Sequence, residues 1–327
     1  MIRTGAALDH CATSQFVTDG GLETDLIFHH GVDLPEFAAF PLLDSANGRD
    51  LLGRYFEGYA GVAVAVGAGL LLETPTWRAN PDWALRVGYA GTDLDRVNTE
   101  SVRFLRAFGR TYADVLPAVV VSGMVGPRGD GYRPGAPVDP AEAADYHRPQ
   151  LAAFAAAGAD LATALTLTEV GEAVGVARAA ADIGIPVAIS FTVETDGRLP
   201  GGLSLPEAVA IVDADTPPSH YLVNCAHPTH VRAGLDAAPT TKPAAGAPSG
   251  DWRSRVLGFR VNASMRSHAE LDESETLDDG DPDTLAVEVA TLAQAFPDVR
   301  VLGGCCGTDE RHVAAMWGVS LSARGAG

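Results

Sequence analysis

Eight times along this chain a short apolar run of strand length gives way to a stretch with helical spacing, and no other feature limits the fold as much. The runs are Gln15–Asp19, Ala68–Thr74, Ala118–Ser122, Asp160–Thr166, Pro186–Thr192, His220–Asn224, Val256–Asn262 and Val299–Gly303. Alanine-rich stretches such as Ala141–Ala157, Val170–Ile183 and Leu205–Asp213 lie between them and repeat with the 3.6-residue period. A doubly wound sheet usually has five or six strands. Eight strand-then-helix units in 327 residues instead predict an α/β chain folded as a single (β/α)8 barrel of the TIM type. No boundary for a second domain is visible, so one domain is expected over 1–327 with its core at about 16–319. Ala237–Asp251, rich in Pro, Gly, Ser and Thr, reads as an exposed loop between the sixth and seventh units. Val66-Gly-Ala-Gly-Leu70 lacks a third glycine and opens a strand rather than a helix, so it reads as a turn and not as a nucleotide site.

A barrel of this kind puts its chemistry where strands end, and three cysteines fall at such ends. Cys225 follows the sixth run, and the adjacent pair Cys305-Cys306 follows the eighth. Adjacent cysteines close a strained ring if they pair with each other, but together with a third thiolate they can ligate one soft ion. Zn²⁺ with three sulfur ligands and one open position is the economical reading. Residues 80 positions apart become neighbours at the barrel mouth. Four cysteines are too few for a disulfide scaffold, and Cys11, outside every motif, reads as simply buried. In Cys225-Ala-His227-Pro-Thr-His230 the histidine spacing suggests a metal site, but His227 reads as a loop residue and His230 as a helix-surface one.

Charge removes several classes of function. The formal net charge is −19, with one lysine, Lys242, among 23 basic residues. Nucleic acid and anionic membrane both call for Lys/Arg clusters that are absent, so neither is expected as a partner. The first twenty residues lack a basic start with an apolar core, and no apolar run reaches the roughly 18 residues of a membrane span. A cytoplasmic protein acting on small molecules is expected.

Other predicted strand ends carry glycine and small polar groups: Asp19-Gly20-Gly21, Glu73-Thr74-Pro75-Thr76, Gly123-Met-Val-Gly126 and Asn262-Ala-Ser264. Taken in order, Asp19-Gly-Gly-Leu-Glu23, Glu73-Thr-Pro-Thr-Trp-Arg-Ala-Asn80, Gly123-Met-Val-Gly-Pro127, Tyr146-His-Arg148, Asn224-Cys225, Asn262 and Gly303-Gly-Cys-Cys-Gly-Thr308 resemble the zinc-dependent homocysteine S-methyltransferases. The resemblance covers about Phe16 to Val319. It implies that Cys225, Cys305 and Cys306 hold zinc and that a small-molecule thiol acceptor takes the fourth position, receiving a methyl group from a donor. It implies further that Asp19 meets the acceptor's ammonium, that Gly20, Gly21 and Thr74 meet its carboxylate, and that Asn224 and Asn262 belong to the substrate site.

A free thiol is mostly protonated at neutral pH, and the thiolate is the nucleophile. Zinc coordination removes the proton, so methyl transfer needs alignment and a dry site rather than a general base. Two departures from the family pattern bear on the substrates. Leu165 stands where the family commonly has a glutamate for the acceptor's ammonium, so Glu169, Glu23 or a different acceptor must make up for it. Arg78 beside Trp77 repels a bare trimethylammonium and favours a donor with its own carboxylate, which points to S-methylmethionine over betaine, with Trp77 and Trp83 able to cover the donor methyl. Two alternatives stay open: a zinc hydrolase or lyase with water in the open position, which three thiolates disfavour, and a catalytically silent barrel.

Overall fold

In a computed structural model, which describes residues 15–131, 137–238, 251–274 and 276–321, eight parallel strands close into a barrel in sequence order. The strands are β1 (Phe16–Val17), β2 (Gly69–Glu73), β3 (Val119–Val125), β4 (Leu161–Leu167), β5 (Val187–Phe191), β6 (His220–Ala226), β7 (Val256–Val261) and β8 (Val301–Gly304). One principal helix follows each strand: α1 (Ala46–Val66), α2 (Thr92–Arg110), α3 (Pro140–Ala157), α4 (Val170–Ile183), α5 (Leu205–Asp215), α6 (Pro228–Asp236), α7 (Pro282–Ala295) and α8 (Glu310–Met316). Closure comes from β1 pairing with β8, Phe16 opposite Val301 and Val17 opposite Leu302. All eight expected strands are present. Cys11 and most of the expected loop, residues 239–250 with Lys242 among them, lie outside the described residues.

The helices start where their sequences provide a cap. Asp139 accepts from Ala141 N and Glu142 N at the start of α3, and Ser45 accepts from Gly48 N at the start of α1. Gly67 ends α1 in the left-handed region at φ 66°, which only glycine adopts without strain, so Val66–Leu70 is the expected turn.

Inside the barrel the period of two sorts side chains into layers. Phe16, Leu71, Val120, Leu161, Ala188, Leu222 and Val301 pack into an apolar plug at the N-terminal end. Two residues further along the same strands the side chains turn polar: Glu73, Ser122, Thr163, Ser190 and Asn224, all buried. Ser122 Oγ and Thr163 Oγ1 bond each other at 2.8 Å, and Ser190 Oγ donates to Asn224 Oδ1 at 2.6 Å. This polar layer is the floor on which the C-terminal mouth is built. Among the described residues no helix is long and apolar enough to cross a membrane.

Candidate functional site

The three thiols converge. Cys225 Sγ is 2.9 Å from Cys305 Sγ and 3.5 Å from Cys306 Sγ, and the three sulfurs lie within 4.8 Å of one another. All three line a cavity of about 620 Å³ at the C-terminal mouth. Cys225 does not follow β6, as the sequence suggests, but lies inside it, because the strand runs on to Ala226. At that point the register with β7 shifts between Asn224 and Ala226, and Cys225 takes φ 56°. A bulge with a non-glycine residue in the left-handed region is strained, and strain of this kind persists only where surrounding groups hold it. Here they do. The Cys225 carbonyl lies 2.7 Å from His268 Nε2 and accepts from Asn262 Nδ2 at 3.1 Å and Thr192 Oγ1 at 3.2 Å.

A second bulge lies across the barrel in β4, where Thr166 has φ 61° and the register with β5 shifts between Ala164 and Leu167. Asn224 joins the two. Its Oδ1 accepts from Thr166 N at 2.8 Å, and its Nδ2 donates to Thr166 Oγ1 at 2.8 Å and reaches Cys305 Sγ at 3.8 Å. Asn224 therefore lines the cavity and positions a cysteine at once, whereas Asn262 supports Cys225 from behind and is not part of the cavity wall.

Cys305 and Cys306 are placed by the packing of β8 against β1. Gly21 approaches the Cys305 carbonyl so closely that a β-carbon there would stand 2.5 Å from the oxygen, which accounts for the glycine. Thr24 Oγ1 accepts from Gly307 N at 3.2 Å and donates to Gly21 O at 3.0 Å. The turn after β1 and the cysteine loop after β8 thus form one unit. The Cys305 thiol is held well below the usual range by sulfur–hydrogen bonds from its two neighbours, with Arg260 nearby adding to the effect, and Cys306 is pushed up in turn.

The sequence reading missed Arg260. It lies on β7, and its Nη2 meets Asp19 Oδ1 at 2.6 Å with both side chains buried. Nη2 also donates to Gly20 O at 3.1 Å, and Nε donates to Gly304 O at 3.0 Å. Tyr55 Oη donates to Asp19 Oδ2 at 3.2 Å. The charge of Asp19 is therefore already matched inside the protein. Burial nevertheless raises the Asp19 carboxyl above its ordinary pKa, with Arg260 pulling the other way. Glu73 is also raised, to about 7, by burial against the pull of Arg260. A lone arginine in the otherwise apolar run Val256-Leu-Gly-Phe-Arg-Val261 was the signal in the sequence.

The remaining expected residues divide between the wall and its support. Gly20, Gly21, Trp77, Arg78 and Leu165 line the cavity, and so does Glu23. Thr74 does not: its hydroxyl is used on Thr76 Oγ1 at 2.7 Å and on Met124 N at 2.8 Å. Arg78 lies between two indoles, its Cζ 4.1 Å from the ring centre of Trp77 and 3.5 Å from that of Trp83. It is 8% exposed, and among the described residues its Nε and Nη1 have no hydrogen-bond partner. Burial lowers its pKa to about 10, which leaves it charged at neutral pH.

His227 caps α6, and its Nε2 lies 3.0 Å from Glu288 Oε2, outside the thiol cluster. His230, expected on a helix surface, is instead buried and packs its ring 5.8 Å from that of His227. Glu169 accepts from Gly171 N and Glu172 N as the cap of α4.

Sequence comparison agrees with this geometry. The homocysteine S-methyltransferase family profile matches residues 16–318. No curated protein matches the chain in sequence. Among solved structures, the fold resembles the homocysteine methyltransferase MmuM from Escherichia coli in its metallated form, with a TM-score of 0.72 and 20% identity over 97% of this chain and 99% of that one. The oxidized form of the same protein matches with a TM-score of 0.70 and 21% identity over 92% of this chain and 94% of that one.

Proposed function

The chain belongs to the homocysteine S-methyltransferase family and is a methyltransferase, and from that premise we propose that it moves a methyl group from a sulfonium donor to the sulfur of homocysteine, giving methionine, with Zn²⁺ bound by Cys225, Cys305 and Cys306. The observation that carries this reading is the meeting of three thiols on the wall of one cavity. Their donor chemistry fits zinc. Tetrahedral sulfur ligands at about 2.3 Å from zinc stand about 3.8 Å apart, and separations of 2.9 and 3.5 Å reach that with a small outward movement. When bound, zinc supplies a Lewis acid that keeps the acceptor sulfur as a thiolate at neutral pH.

The chain's own residues do the rest. Asn262, Thr192 and His268 hold the Cys225 bulge in place and Asn224 reaches the Cys305 sulfur, so the sulfurs are set before any substrate arrives. Leu165, Met124, Ile27 and Phe28 line the cavity with apolar surface and keep water from the reacting sulfur. Gly20 and Gly21 form the inner wall beside Cys305, where the acceptor's amino-acid end belongs. Asp130, Asp272 and Asp278 also line the cavity, and this acidic lining draws in a cationic donor. Arg78, held against the two indoles with N–H groups that have no partner among the described residues, suits a donor that carries a carboxylate, so S-methylmethionine is favoured over betaine. A soluble cytoplasmic setting completes the reading.

The test is mass spectrometry of products after incubating zinc-loaded protein with homocysteine and, in turn, S-methylmethionine, S-adenosylmethionine, betaine and dimethylsulfoniopropionate. Methionine formed with a sulfonium donor is the expected result. No methionine with any donor would overturn the reading.

A further inference from the structure

An α-amino-acid acceptor brings an ammonium group into a buried cavity, and a buried charge is costly unless it is matched. The residues first expected to match it are spent. Asp19 is neutralised by Arg260 at 2.6 Å and bonded by Tyr55. Leu165 presents aliphatic surface to the cavity. Glu169 has its carboxylate committed to two backbone amides at the start of α4. Glu73 is 1% exposed within the barrel's polar layer and is not part of the cavity wall.

Glu23 differs from all of these. It lies on the short helix Leu22–Thr24, which is clamped to the cysteine loop from both sides: Gly21 packs on the Cys305 carbonyl and Thr24 bonds Gly307 N. That clamp holds Glu23 in the cavity wall beside Cys305. Among the described residues no side chain gives its carboxylate a hydrogen bond or an ion pair; its own backbone N–H bonds it and burial raises it to about 7, so an arriving ammonium favours its charged form and can take the oxygen positions that remain.

We propose that Glu23 is the specificity-determining residue that receives the acceptor's ammonium, doing from the β1 side of the mouth what Leu165 cannot do from β4. The inference rests on the methyl-transfer reading above and names its acceptor as an amino thiol. Glu23 acts by binding the acceptor, not by moving a proton in the reaction.

The experiment compares three thiols with the zinc-loaded protein and a fixed donor: homocysteine, 4-mercaptobutanoate, which lacks the ammonium, and 3-mercaptopropylamine, which keeps it and lacks the carboxylate. Glu23→Gln should raise KM for homocysteine and for 3-mercaptopropylamine by about a hundredfold, with kcat at saturation, KM for 4-mercaptobutanoate, donor KM and zinc content unchanged. The double variant Glu23→Ala, Leu165→Glu should recover at least about tenfold of the lost homocysteine affinity, because it returns a carboxylate to the opposite wall. Binding of homocysteine measured calorimetrically in the absence of donor should follow the same order. An unchanged homocysteine KM in Glu23→Gln, or an equal loss for 4-mercaptobutanoate, overturns the assignment while methyl transfer stands. Failure of the native protein to methylate any of the three thiols overturns the methyl-transfer reading, and this inference falls with it.

Discussion

Replacing Arg260 with methionine isolates the buried ion pair between β7 and the turn after β1. Arg260 and Asp19 are 4% and 3% exposed and meet at 2.6 Å, so the variant leaves a carboxylate in a buried site with no cation beside it. Opposite charges with centres about 4 Å apart at an effective dielectric near 20 attract by about 4 kcal/mol, and breaking a buried pair from one side costs about 3–5 kcal/mol. For a barrel of 327 residues that is a fall in Tm of about 4–7 °C. Urea unfolding followed by tryptophan fluorescence at one fixed free-zinc concentration measures it, since bound metal adds its own stabilisation.

The sign of the pH dependence follows from the carboxyls. Asp19 is raised above its unfolded value by burial, so between the two values the folded state holds more protons than the unfolded state and acidification favours the fold. Removing Arg260 takes away the group that pulls both Asp19 and Glu73 down. The deficit of Arg260→Met should therefore shrink as pH falls from about 7 to about 5. The double variant Asp19→Leu, Arg260→Met should recover most of the loss, because replacing both charges with apolar groups removes the desolvation cost as well. A loss below about 1 kcal/mol in the single variant, or a double variant no more stable than the single one, would refute the argument.

Other outcomes can be checked directly. The reduced protein should hold about one zinc per chain, and Ala at Cys225, Cys305 or Cys306 should lower the content and stop transfer; full occupancy in Cys305→Ala, Cys306→Ala, measured by metal analysis, would remove the site assignment. Arg78→Ala should raise the KM of a carboxylate-bearing donor at least about tenfold in steady-state assays while acceptor binding and zinc content stay as they are, and an unchanged donor KM would show that Arg78 does not touch the donor. His220 is held at about 4, by burial first and by Arg255 second, so the unfolded chain takes up its proton near 6.5 before the folded one does. Stability should then fall by about 2 kcal/mol between pH 7 and pH 5 from this residue, and His220→Asn should flatten that part of the curve in urea titrations.

The sequence by itself determined the barrel and the gathering of the three cysteines. Period, strand length and the count of eight units depend on local pattern, and local pattern predicted α4 with the same bounds, Val170–Ile183, that the structure has. Strand ends were less legible: β6 was expected to stop at Asn224, and nothing local announces that a bulge carries it through Cys225 to Ala226. That bulge is sustained by His268, Asn262 and Thr192, which come from other strands and loops. The charge balance of the mouth was the least legible part. Asp19 and Arg260 are 241 positions apart and meet only because β1 closes on β8 beside β7, so no motif could show that the expected ammonium partner is already taken. Glu23 is the reverse case: one acid in a motif by sequence, it becomes a carboxyl on the cavity wall with no side-chain partner among the described residues only once Gly21 and Thr24 lock its helix onto the cysteine loop. Periodicity acts along the chain and can be read from it, whereas the partner that neutralises a buried charge is chosen by closure of the barrel, which only the tertiary structure decides.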